Sequence, residues 1–207
     1  MKIDQHLQAY IEAEILPRYD HFDKAHQRGH VEMVIRQSLE LAEQLGANMN
    51  MAYTIAAYHD TGLCGGRDTH HTVSSQIIRE DKELRRWFTE EQINTMADAA
   101  EDHRASSSHP PRTLYGRIVA EADRYIDAED IIRRTIQFGL HHYPTLSPQE
   151  HYERMVAHLQ EKYGRQGYLR LWFPQSPNMA RLEKLRQIID DEAQLREYFK
   201  RMWPANN

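Results

Sequence analysis

The sequence predicts an all-α fold. Apolar residues recur at three- and four-residue spacing in successive segments, helix start and stop signals bracket those segments, and no segment shows strand alternation. The composition agrees, because 9 glycines and 8 prolines with 28% charged residues suit a soluble helical protein better than a turn-rich sandwich or a disordered chain.

An opening helix is expected over 2–16, ended near Pro17, since proline lacks the N–H that a helix interior requires. A long helix follows over 23–45, with Gly46 as its stop. The next, over 50–61, ends at Gly62, where GLCGGRDTHH begins a glycine-rich connection. Val73, Ile77 and Ile78 mark a helix running toward Glu83, and Thr89 with Gln92 is a capping-box signal for one that reaches His103. RASSSHPPR, over 104–112, is polar and proline-broken and reads as a loop, after which helices are expected over 114–126 and 129–141. Ser147-Pro148 with Glu150 opens a helix to about Tyr163. Leu182, Leu185, Ile189, Phe199 and Met202 fall near one stripe of a single final helix over 178–202.

A formal charge of -5, with basic residues scattered among acidic ones, argues against polymeric nucleic acid as a partner. The single cysteine, Cys64, forms no internal disulfide and belongs to no zinc-type spacing, which suits a reducing compartment. Cys64 is expected to be a small buried apolar residue rather than a nucleophile. The first residues carry Asp4, Glu12 and Glu14 and lack the apolar centre of a signal peptide, and no apolar run approaches the roughly 20 residues of a membrane span. A cytoplasmic protein with no membrane partner is the expectation.

Four residues stand apart. His30 falls in line with Val34, Leu41 and Leu45, His59 with Ala52, Ile55 and Ala56, and Asp123 with Tyr115, Val119 and Ile126, while Asp60 follows His59 directly. An ionised carboxylate buried on an apolar face needs a cation or donors around it. Taken singly, each histidine is more often a core imidazole with one backbone hydrogen bond, and Asp123 beside Arg124 reads equally as an ion-pair residue. Taken together, two imidazoles and two carboxylates suffice to hold a divalent cation.

In their order along the chain these segments resemble the HD superfamily of metal-dependent phosphohydrolases, in particular its small stand-alone bacterial hydrolases. The resemblance runs through DKAHQRGHVEMV, IAAYHDTG and RIVAEADRYIDA, over roughly residues 20–130. It implies an all-helical core in which His30, His59, Asp60 and Asp123 ligate Mn²⁺, Mg²⁺, Fe²⁺, Co²⁺ or Ni²⁺. Gln27 stands where related members often carry Asp, so His26 is left outside the site. Binuclear members place a histidine about four residues before a pair of small residues, which points to His70 before Ser74-Ser75, with His71 as the competitor. They place another at the end of the next helix, which points to His103. One ion is favoured, and a second site of His70 or His71 with His103 is the alternative. The implied domains are an HD core with an N-terminal helix over 1–143 and a C-terminal helical extension over 144–207.

The implied activity is hydrolysis of a small phosphorylated substrate, a nucleotide by preference, through a metal-bound hydroxide. Phosphoryl transfer calls for cations beside the metal. Arg67, in the glycine-containing loop, is the first candidate to contact substrate and, with Asp60, to be catalytic; Arg28, Arg104 and Arg124 follow. Glu101 and Asp102 are weaker candidates for carrying a proton. Two rival functions are a di-iron oxygenase of the same fold, which needs both extra histidines, and a non-catalytic nucleotide-binding module. The aromatic residues Tyr143, Tyr152, Tyr168, Trp172, Phe173 and Trp203 are expected to complete a core, with a pocket cover or a homodimer contact as the other reading.

Overall fold

Every side chain from Met51 to Tyr58 is buried, and the helix they form is the one that five others pack around. The computed structural model describes residues 2–22, 26–124 and 126–204. Among these the α-helices are α1 (Gln5–Glu14), α2 (Arg28–Gln44), α3 (Met49–Tyr58), α4 (His70–Glu80), α5 (Glu90–Asp102), α6 (Leu114–Ala122), α7 (Ala128–His142), α8 (Pro148–Tyr163), α9 (Pro177–Asp190) and α10 (Glu192–Met202). Short 3-10 turns cover Leu16–His21, Thr61–Gly65 and Glu83–Arg86, and no strand occurs among the described residues.

The chain divides into two compact units, Met1–Arg124 and Tyr125–Asn207. In the first, α3 packs against α1, α2, α4, α5 and α6. Leu7 and Ile11 of α1, Val31 and Val34 of α2, Ile78 of α4, Met96 of α5 and Val119 of α6 are buried in one cluster with Ile55 of α3. Each such side chain contributes about 1.5–3 kcal/mol relative to leaving it in water. In the second unit α7 packs with α8, α9 and α10, burying Ile131, Ile132, Met155, Leu185 and Phe199. The division at 124/125 lies before α7, whereas the sequence placed one after residue 143.

Local signals account for the helix ends. Asp4 and Asn48 accept the free amides that open α1 and α3. Thr89 with Gln92 and Ser147 with Glu150 form complete capping boxes on α5 and α8. Gly46, at φ 65°, closes α2 as Ala47 N–H donates to Ala42 O at 2.8 Å.

Several expectations are corrected. Pro17 lies inside the 3-10 turn Leu16–His21, and α1 stops before it at Glu14. The long second helix begins at Arg28 rather than 23; residues 23–25 lie outside the described residues. The helix expected to run toward Glu83 stops at Glu80, and a separate 3-10 turn follows. The single final helix is two, because the Asp191 carboxylate turns back to cap Gln194 N–H and opens α10. Cys64 is exposed rather than buried. Tyr152 and Phe173 do lie in the core, whereas Tyr143 and Tyr168 are exposed.

Candidate metal centre

Helices α3, α5 and α6 each stop one residue before a histidine or aspartate of interest: His59, His103 and Asp123 are their C-cap residues. A helix end leaves carbonyls without partners. His59 Nδ1–H donates to Ala56 O at 2.7 Å, and His103 Nδ1–H donates to Ala100 O at 2.5 Å. His70, at the start of α4, repeats the three-residue reach, its Nδ1–H donating to Arg67 O at 2.7 Å. A carbonyl only accepts, so Nδ1 carries a proton in each ring and Nε2 is the nitrogen left for another partner.

Those Nε2 atoms converge on Asp60. Its Oδ2 lies 3.3 Å from His59 Nε2 and 3.5 Å from His30 Nε2. Its Oδ1 lies 3.5 Å from both His70 Nε2 and His103 Nε2. The two imidazoles of each pair are themselves close, 3.3 Å for His30 with His59 and 3.2 Å for His70 with His103. Asp123 Oδ1 joins the first pair, 3.3 Å from His30 and 3.8 Å from His59. Two ligand groups therefore share one carboxylate: His30, His59 and Asp60, and Asp60, His70 and His103.

The donor set fits a divalent ion. Ligand atoms held about 2.1 Å from a common ion stand roughly 3.0–3.4 Å apart in octahedral or tetrahedral arrangements, close to the spacings here. The charges agree. Burial pushes the Asp60 carboxyl up, yet the His59 charge and hydrogen bonds from His103 and His30 hold it well below the usual range. Burial likewise opposes Asp123, and His30 with the His59 charge brings it down to about 2. His30 is raised to about 9, burial being overcome by its hydrogen bonds to Asp123 and Asp60. His103 is raised by Asp60 against burial, whereas burial and the His103 charge lower His70. Two ionised carboxylates are thus neutralised by imidazole protons, which a divalent cation would displace on binding.

The turn between α3 and α4 is held from outside. Tyr19 O–H donates to Ala57 O at 2.9 Å and accepts Asp60 N–H at 3.3 Å, and Thr61 O–H donates to Tyr58 O at 2.7 Å. Gly62 N–H donates to Ser74 Oγ at 2.9 Å, and a Cβ on Gly62 would lie 2.1 Å from His70 O. Arg124 is buried, and its guanidinium donates to His103 O at 3.0 Å and to Asp123 Oδ2 at 3.4 Å.

The remaining candidates are placed differently. His71 joins neither group; it is half-buried with Nδ1 lacking a partner, and burial, Arg104 and His103 lower its pKa. Arg67 is exposed and reaches the centre through its carbonyl on His70. Arg28 pairs with Glu32 at 3.3 Å, and Arg104 donates to Asp68 O at 2.8 Å. Glu101 and Asp102 pair with Arg112, at 2.6 and 2.8 Å, which makes them anchors of the following loop rather than proton carriers. His26 faces the His30 ring edge-on at 5.7 Å. Tyr19 went unmarked in the sequence, where no spacing relates it to Asp60.

Residues 28–127 match the family model of the HD domain, and all six converging side chains lie inside that segment. No curated protein and no solved structure matches the chain. Residues 28–127 of the chain therefore form an HD domain.

Proposed function

We propose that the protein is a metal-dependent phosphohydrolase that holds two divalent cations, one by His30, His59, Asp60 and Asp123, the other by Asp60, His70 and His103. The observation that carries this reading is the Asp60 carboxylate, whose Oδ2 faces one histidine pair and whose Oδ1 faces the other. A divalent cation, when bound, supplies Lewis acidity toward a phosphoryl oxygen and lowers the pKa of water. The chain's own residues arrange access. His59 and His103 are nearly inaccessible, whereas His30, Asp123 and His70 are partly open, so a small phosphorylated substrate, a nucleotide by preference, approaches from the side those three share. Arg67, exposed in the loop before α4, is the cation assigned to its phosphate, with Arg28 and Arg104 behind it. Arg104 steadies that loop by its bond to Asp68 O.

The test is a phosphate and pyrophosphate release screen over nucleotides with Mn²⁺, Mg²⁺, Fe²⁺, Co²⁺ and Ni²⁺ in turn, wild type against Asp60→Asn. Wild-type turnover by Asp60→Asn refutes the reading. One observation favours a second reading: four histidines and two aspartates are all present, the condition a di-iron oxygenase of this fold needs. Iron retained through anaerobic purification, with oxygen consumed and no phosphate released, decides for it. Nucleotide retained without turnover under every metal decides for a binding module.

A further inference from the structure

The residue that aims Asp60 comes from outside the matched HD segment. Tyr19 lies in the 3-10 turn Leu16–His21, and its side chain is fully buried. Its ring packs edge-on to Phe22 at 5.3 Å and lies 6.4 Å from the His59 ring, so the hydroxyl is fixed in place. Ala57 O and Asp60 N–H are three residues apart, the separation that a 3-10 turn closes directly. Here the Tyr19 hydroxyl stands between them, accepting from one and donating to the other. A group inserted into a helix ladder opens it. Asp60 correspondingly sits at φ -109°, ψ 4°, in the sparsely populated bridge region.

We propose that Tyr19 is a positioning residue for the metal centre: its hydroxyl holds the end of α3 open so that the Asp60 carboxylate faces both histidine pairs. This rests on the two-cation reading above. Without the hydroxyl, two buried backbone groups lose their partner, and their simplest remedy is to bond to each other. That closure rotates Asp60 away from its present aim. Ligand distances tolerate about 0.2 Å, and Asp60 belongs to both groups, so both cations are affected together.

Tyr19→Phe removes one oxygen and leaves the ring. The control is Tyr58→Phe, which removes a buried hydroxyl one residue before His59 whose partner, Asp81 Oδ2 at 2.5 Å, is no part of the centre. The full chain is stripped of metal and titrated with MnCl₂, with circular dichroism confirming the fold. Tyr19→Phe is expected to weaken Mn²⁺ binding roughly 10–100-fold, the range for partners that orient ligands, while Tyr58→Phe lowers Tm and binds Mn²⁺ within about twofold of wild type. If Tyr19→Phe is too unstable to titrate, the rise in Tm with added Mn²⁺ gives the same comparison. Mn²⁺ affinity of Tyr19→Phe within twofold of wild type, or an equal loss in Tyr58→Phe, overturns the proposal. Asp60→Asn separates the two levels: if it binds Mn²⁺ as wild type does, the metal reading itself fails; if it loses Mn²⁺ while Tyr19→Phe keeps it, only the role of Tyr19 fails.

Discussion

Replacing Gly62 by alanine tests how the second histidine pair is held. Gly62 has no positive φ, so alanine is acceptable to the backbone and any cost is steric. The new Cβ would stand 2.1 Å from His70 O, 2.5 Å from Ser74 N and 2.9 Å from Ser74 Oγ, against ordinary contact beginning at 3.4 Å. Two of the three neighbours are backbone and have no rotamer to turn to. The first turn of α4 therefore has to retreat by more than an ångström, carrying His70 with it and stretching the 2.9 Å bond from Gly62 N–H to Ser74. Overpacking costs about 1–3 kcal/mol, and the weakened bond adds roughly 1 kcal/mol. For a chain of this length that lowers Tm by roughly 5–15 °C. The metal effect is selective: elemental analysis after Mn²⁺ loading is expected to show loss of the ion at Asp60, His70 and His103, with the ion at His30 and His59 retained. Gly66 supplies the contrast, since its Cβ would meet open space and only its φ of 102° resists a side chain. Gly66→Ala is expected to cost about 1–3 kcal/mol and to leave metal content unchanged. Wild-type Tm and wild-type metal content in Gly62→Ala would refute the reasoning.

Three other outcomes follow from the same geometry. The metal-stripped protein gains stability from His30, whose pKa is raised from 6.5 to about 9; that contribution is complete below pH 6.5 and disappears as pH rises through about 9. Asp123, lowered to about 2, contributes above about pH 4 and loses its share as pH falls through about 2. Thermal scans of stripped protein should therefore show Tm falling from pH 6.5 to 9, while Mn²⁺ affinity rises over the same interval because uptake displaces the His30 proton; a stripped Tm that climbs across that window refutes the sign. His103→Ala is expected to halve the bound metal and His71→Ala to leave it intact, measured by elemental analysis; the reverse result makes His71 the ligand. Arg124→Met keeps much of the buried volume but removes the donors to His103 O and Asp123, and should cost about 2–4 kcal/mol in thermal unfolding, with metal loss at both groups; an unaltered Tm would show that those bonds stabilise nothing.

The sequence by itself determined the fold class and marked the first group of candidate ligands. Helical period and start signals such as Thr89 with Gln92 act over a few residues, and His30, His59, Asp60 and Asp123 are legible because polar groups interrupt apolar faces in a recognisable order. Helix ends were less legible. The apolar period continues past Tyr58 and Ala122, and only the His59 ring bending back to Ala56 reveals where α3 stops, whereas the polar stretch after His103 marked the end of α5 to within one residue. The choice between His70 and His71 was beyond the sequence for a related reason, since adjacent helical residues point roughly 100° apart and only the placement of α4 against α5 selects one. Tertiary structure alone decided that Asp60 serves both histidine pairs, that Arg124 is buried between His103 and Asp123, and that Tyr19 reaches Asp60 across 41 residues. Local signals are written in neighbouring residues, whereas a shared carboxylate and the hydroxyl that steers it depend on where separate helices cross, which no short stretch of chain encodes.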